Sequence, residues 1–152
     1  MTKRMLVLDT NIISETLKIK PEGQVIAWLL QNQEDLYLNV ITVGELLLGA
    51  YRLPVGKRRE NLLLAIEQII IGYNNRVLPY DGPAARCYAL FQDLSQKDGW
   101  VLTVEDGMIA AICASSKAVL ATRNTKGFKR LGIQLVDPFT EPTPDVTGID
   151  LA

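Results

Sequence analysis

Residues 5–15 read Met-Leu-Val-Leu-Asp-Thr-Asn-Ile-Ile-Ser-Glu, and the break at Asp9 decides the fold class. Residues 5–8 form an unbroken apolar run, which suits a short strand buried on both faces. Asp9 and Thr10 interrupt it, and either can cap the helix that follows. Outward from this point the same alternation recurs. Leu36–Val40, Arg76–Pro79, Ala118–Ala121 and Ile133–Val136 are further short strand patterns. Between them lie helical patterns opened by Pro21, Thr42, Lys57, Asp81 and Glu105, the first running through Trp28 and Leu30. Strands alternating with helices predict an α/β fold with a mainly parallel sheet of about five strands and helices on both faces. In such sheets ligands bind beyond the carboxyl ends of the strands, where Asp9 and Thr122 fall.

The 152 residues are enough for one domain, and 48% apolar residues are enough for one core. We assign residues 1–139 to that domain. Residues 140–152, rich in proline and acid, are expected to form a flexible or partner-docking tail. The net charge of −1 gives no global basic field, so any nucleic-acid site must be a local patch. No apolar run approaches the roughly 20 residues of a membrane span. Met1-Thr2-Lys3-Arg4 runs straight into a strand without the apolar stretch of a secretory signal. The expectation is a soluble cytoplasmic protein with no membrane partner, and Cys87 and Cys113 are expected to be reduced core thiols.

Histidine is absent. This removes Ser-His-Asp and Cys-His hydrolysis, histidine-based RNA cleavage and His-ligated zinc together. An enzyme without an organic cofactor must then rely on carboxylates, directly or through a hard cation with oxygen ligands. Three carboxylates are candidates, each with an ordinary alternative. Asp9 also reads as a helix N-cap. Glu45, three residues after Thr42, also reads as a capping-box partner. Asp106 also reads as a first-turn acid facing a helix dipole, and the small residues Gly107, Ala110 and Ala111 argue for close packing around that turn. Glu105 reads as a solvated charge.

Four segments in order, LVLDTNIISE, ITVGELLLGA, DGMIAAIC and LATRNTKGF followed by GIQLVDPF, resemble the PIN-domain family, and more narrowly the VapC-type toxins of type II toxin–antitoxin pairs. The resemblance covers roughly residues 5–139. It implies an α/β/α sandwich and an endoribonuclease that hydrolyses structured RNA, a tRNA or rRNA loop, with Mg²⁺ or Mn²⁺. By position, Asp9, Glu45 and Asp106 match the metal-binding acids, with Asp9 and Asp106 as direct ligands and Glu45 binding directly, through water, or by orienting the nucleophile. Thr122 and Asn124 match the polar residues beside the site, and Asn11 a companion of the first acid. The resemblance also implies a homodimer and a cognate antitoxin laid across a groove near the site; the apolar helices near Trp28 and Leu46–Leu53 are the candidate partner surfaces.

Many members carry a further acid three residues after the asparagine, where this chain has Gly127. That departure favours a rival, a PIN-fold module that binds RNA or antitoxin but cuts weakly. A second rival is another carboxylate–Mg²⁺ fold, such as a phosphotransfer receiver or an aspartyl phosphatase, though Asp9-Thr10-Asn11 lacks the paired aspartate expected of the phosphatase. RNA crossing an acidic centre needs flanking positive charge, for which Arg123 and Lys126, followed by Lys129 and Arg130, are the candidates; Lys57, Arg58 and Arg59 form a second basic stretch. Three converging acids without a cation repel one another, so at least one carboxyl pKa is expected to rise.

Overall fold

The computed structural model describes residues 4–141. Five strands, β1 (Leu6–Leu8), β2 (Leu36–Asn39), β3 (Val77–Leu78), β4 (Val119–Ala121) and β5 (Leu135–Val136), form a parallel sheet in the order β3-β2-β1-β4-β5. Seven α-helices connect them: α1 (Thr10–Thr16), α2 (Gly23–Gln31), α3 (Val40–Tyr51), α4 (Lys57–Tyr73), α5 (Gly82–Asp98), α6 (Val104–Ser116) and the short α7 (Thr125–Phe128). This is the expected α/β/α sandwich. The strand order differs from the 2-1-3-4-5 order of receiver-type folds, which removes the receiver.

The central strand is covered on both faces. Leu6 and Leu8 join a core with Ile12, Val25, Leu38, Leu46 and Ile66, so α1 to α4 lie on one side. Val7 points the other way, to Leu102, Ile109, Cys113, Leu120 and Phe128, under α6. All three β1 residues are fully buried, which is why the sequence reads as a continuous apolar run. Helices α5 and α6 pack closely because Gly107 has no side chain: a Cβ there would lie 2.9 Å from the Tyr88 ring.

Helix α3 begins earlier than the Thr42–Glu45 spacing suggests. Asn39, extended at φ −131° and ψ 153°, is its N-cap, with Oδ1 accepting from the Thr42 N–H. Val40 is therefore helical, and the capping box does not form. Asn39 wins because it meets two demands at once. Its Nδ2 donates to the Leu8 carbonyl at the end of the neighbouring strand (3.1 Å) and to the Thr42 hydroxyl (3.0 Å). Asn39 is fully buried, so Asn39→Ala strands an acceptor and a donor in the core. The expected loss is about 2–3 kcal/mol in urea unfolding; a loss under about 0.5 kcal/mol would contradict this role.

Of the two cysteines, Cys113 is buried as expected and Cys87 only half so, and both are free thiols. Burial pushes the Cys113 thiol up, with the Asp9 charge adding to it. At the C-terminal end, Thr140 and Glu141 close a turn on the Asp137 carbonyl, and the Gln24 side chain donates to the Glu141 carbonyl. The rest of the expected tail, 142–152, lies outside the described residues. Among the described residues no helix is long and apolar enough to cross a membrane.

Candidate functional site

The chain reverses its direction of travel across the sheet between β1 and β4: β2 and β3 are laid down on one side of β1, β4 and β5 on the other. Crevices open at such switch points, beyond the carboxyl ends of the strands. Here the crevice is a hollow of about 440 Å³ whose lining includes Asp9, Glu45 and Asp106, with Asn11, Arg123 and Asn124 beside them.

Asp9 follows β1 directly and caps α1. It is only 5% exposed. Its Oδ1 accepts from the Thr10 N–H at 2.8 Å, and its Oδ2 from the Thr122 hydroxyl at 2.6 Å and the Asn11 amide at 3.2 Å. The capping reading and the site reading both hold, because the carboxylate is fixed by the cap and aimed into the crevice. Glu45 enters from α3. With no capping box to serve, its Oε1 accepts from the Thr10 hydroxyl at 2.8 Å. Asp106 sits in the first turn of α6, where Thr103 is the N-cap and accepts from the Asp106 N–H at 3.2 Å.

All three carboxyl groups are pushed above their ordinary values, burial being the first cause in each. Asp9 rises although the bonds from Thr122, Thr10 and Asn11 pull it down. Glu45 rises through burial and the charges of Asp9 and Glu105, against the Thr10 bond. Asp106 is pushed up to about 6 by burial and then by the negative charges of Asp9 and Glu45. The expected mutual repulsion is therefore present. Among the described residues, no three acidic or thiol side chains are gathered tightly enough to hold an ion as they stand. The acids line one hollow without forming a closed ligand cluster. The donor set still fits a hard divalent cation: it is all oxygen, partly buried and electrostatically uncompensated.

The other candidate residues divide by location. Thr122 is fully buried, with its hydroxyl spent on Asp9. It cannot contact substrate, and it positions the first acid. Asn11 braces Asp9 and Thr122 and accepts from the Arg123 N–H at 3.1 Å. Asn124 lines the hollow, but its Oδ1 caps α7 by accepting from Gly127 N–H, and no acid bonds its side chain. A Cβ at position 127 would lie 2.5 Å from the Asn124 amide nitrogen, so glycine there is what lets Asn124 fold over the turn. Arg123 lines the hollow, while Lys126 is exposed on α7 away from its walls. Arg130 instead lies over the Trp100 ring at 5.5 Å.

The hollow also contains residues that the sequence reading missed: Thr10, Ser14, Glu15, Lys18 and Phe139. Asn11, Ser14, Glu15 and Lys18 stand at i, i+3, i+4 and i+7, a helical polar stripe that was legible. Glu15 is buried and pairs with Lys18 at 2.7 Å. That pairing holds its carboxyl below the usual range, with Arg123 a smaller contributor. A second, more apolar hollow of about 840 Å³ shares Thr10 and Glu45 with the first and runs along Leu17, Leu53, Leu62 and Ile66 to Arg58. Of the helices proposed as partner surfaces, Trp28, Leu46 and Ala50 are core, whereas Leu30, Leu48 and Tyr51 are exposed.

Comparison with known proteins agrees with this fold. Residues 6–134 match the PIN domain model. The chain is 39% identical over 137 residues to the VapC ribonuclease Y4jK of Sinorhizobium fredii, covering 89% of this chain and 98% of that one. It is 38% identical over 137 residues to the toxin FitB of Neisseria gonorrhoeae, covering 89% and 99%. Among solved structures it is similar to a chain of FitAcB from Neisseria gonorrhoeae, with a TM-score of 0.82 at 38% identity over 90% of this chain and 99% of that one. It is also similar to a chain of DNA-bound VapBC from Salmonella typhimurium, with a TM-score of 0.73 at 27% identity over 89% and 98%. With its strand order, its crevice at the β1/β4 switch and a family match across nearly all of the described residues, this chain belongs to the PIN domain family.

Proposed function

We propose that the chain is an endoribonuclease and the toxin of a type II toxin–antitoxin pair, acting in the cytoplasm on structured RNA at an unpaired tRNA or rRNA loop. One observation carries this reading: Asp9, Glu45 and Asp106, from three separate elements, line a single hollow, where the Asp9 charge adds to the raised proton affinity of Glu45 and Asp106. The name of the Sinorhizobium relative supports RNA cleavage, and that of the Neisseria relative supports the toxin role.

The residues divide the work. Asp9 and Asp106 would hold Mg²⁺, or Mn²⁺ in its place, directly, and Glu45 would contribute directly or through water. When bound, such an ion lowers the pKa of a coordinated water and polarises the phosphoryl group. Thr122, Asn11 and the Thr10 N–H hold the Asp9 carboxylate in one orientation, while the Thr10 hydroxyl holds Glu45. Where it does not bind the ion directly, Glu45, half-buried beside Asp9, would orient the attacking water. Asn124, whose Oδ1 is committed to the cap, offers its amide NH₂ to a phosphate oxygen. Arg123 and, farther out, Lys126 draw the flanking phosphates.

The FitAcB and VapBC structures support a protein partner. We assign a cognate antitoxin segment to the second hollow, where it would reach Glu45 and Thr10, and a homodimer contact to the exposed side chains Leu30, Leu48 and Tyr51. The weakly cutting binding module, motivated by Gly127, is not favoured, because the relative named as a ribonuclease matches this chain over nearly its whole length. The decisive experiment incubates partner-free protein with structured RNAs and Mg²⁺. Cleavage lost by at least about 100-fold in Glu45→Gln supports the enzyme. RNA binding without metal-dependent cleavage in the wild type would establish the module instead.

A further inference from the structure

Arg123 has a flat support beneath it. Its guanidinium lies over the Phe139 ring, 4.3 Å from the centroid, and both residues line the acidic hollow. The pair is tied down from several sides. The Arg123 N–H is held by Asn11, the same side chain that braces Asp9. The Phe139 N–H donates to the Asp137 carboxylate at 2.9 Å, and the ring packs against the core that includes Leu6 and Leu8. The two residues come from the ends of neighbouring strands, β4 and β5.

A cation needed only to neutralise phosphate works as a point charge on a flexible stem. Arg123 instead lies over an aromatic ring and stays exposed at the hollow. A guanidinium held this way stacks on a nucleobase as an aromatic ring does. We propose that Arg123 and Phe139 form a stacking platform for one unpaired base of the RNA, beside the phosphate that sits over Asp9, Glu45 and Asp106. Arg123 makes the contact, and Phe139 positions its plane. This rests on the ribonuclease reading and deepens it by naming the residues that hold an unpaired base next to the cut, since a base inside a duplex has both faces already stacked.

The test measures base preference, which a merely structural role for Phe139 would not set. Fluorescence anisotropy, with Ca²⁺ in place of a cleavage-supporting metal, compares a labelled octauridylate with an abasic ribose-phosphate octamer. The wild type is expected to prefer the uridylate about tenfold. Arg123→Lys, which keeps the charge and loses the plane, is expected to reduce that preference to about twofold, read as the ratio of the two affinities within the same variant. Phe139→Leu is expected to do the same, and Phe139→Trp to restore it. A wild-type preference that persists in Arg123→Lys overturns the platform and leaves the ribonuclease reading standing, as does a wild type that cleaves RNA without any base preference. A wild type that neither binds nor cuts RNA removes both. Arg123 is exposed, so its variant decides the matter if Phe139→Leu lowers the melting temperature by more than a few degrees.

Discussion

Asp106→Asn is expected to lower metal-dependent RNA cleavage by about 10²–10³-fold and, without metal, to make the folded protein more stable at neutral pH. Both effects follow from one property. The Asp106 carboxyl is pushed up to about 6 from an ordinary 3.8, first by burial and then by Asp9 and Glu45. The folded state thus holds this proton more tightly than the unfolded chain does. The resulting stabilisation is complete below about pH 4 and is lost as pH rises through 6, so at pH 7 the ionised group opposes folding. Two pKa units correspond to about 3 kcal/mol in full. Asp106 is only half-buried, and solvent screening reduces that to about half. The favourable contact of a first-turn acid with the helix dipole, about 0.5 kcal/mol, offsets part of what remains. A net gain of about 1 kcal/mol, or roughly 2–4 °C in melting temperature, is expected for the variant at pH 7 in EDTA, and none at pH 4. Calorimetry at the two pH values checks the first half and a cleavage assay the second. A variant less stable than wild type at pH 7 would contradict the repulsion.

The second large effect is its reverse. A cation that relieves the repulsion binds the folded state alone and stabilises it. At a concentration about a hundred times the dissociation constant, Mg²⁺ or Mn²⁺ contributes about 2.7 kcal/mol, which is about 5–10 °C for a chain of this size. Asp9→Asn is expected to lose most of that rise. The carboxylate it removes is the most rigidly held of the three, fixed by Thr10, Asn11 and Thr122, and so contributes most to a preformed site. Monovalent salt at matched ionic strength must give neither protein the same shift. Equal divalent shifts in both would place the binding elsewhere.

How much of this was legible depends on whether the deciding interaction is local. Leu6-Val7-Leu8 announces a strand because both of its faces are buried. Asp9 and Asp81 announce caps because a cap is a contact within three residues. The start of α3 was misread because Asn39 and Thr42 are both competent caps. The choice falls to a long-range partner, the Leu8 carbonyl across the sheet. Thr122 and Arg123 are adjacent and polar, yet one is buried against Asp9 and the other opens to the hollow. Only the pleat at the end of β4 separates them. Glu15 and Lys18 were available as a helical stripe with the named Asn11. Phe139 was not, since its place beside Arg123 comes from the pairing of β4 with β5. The three acids themselves each had an ordinary local reading, and for Asp9 and Asp106 that reading is also true; their convergence is a property of the topology.

The most direct test of that convergence is anomalous scattering from crystals of the partner-free protein soaked in Mn²⁺ at a concentration that supports cleavage. The strongest manganese peak is expected between the carboxylates of Asp9, Asp106 and Glu45, with the three side chains drawn inward from their metal-free positions. A strongest peak away from these residues, with the three carboxylates still apart, would contradict the account.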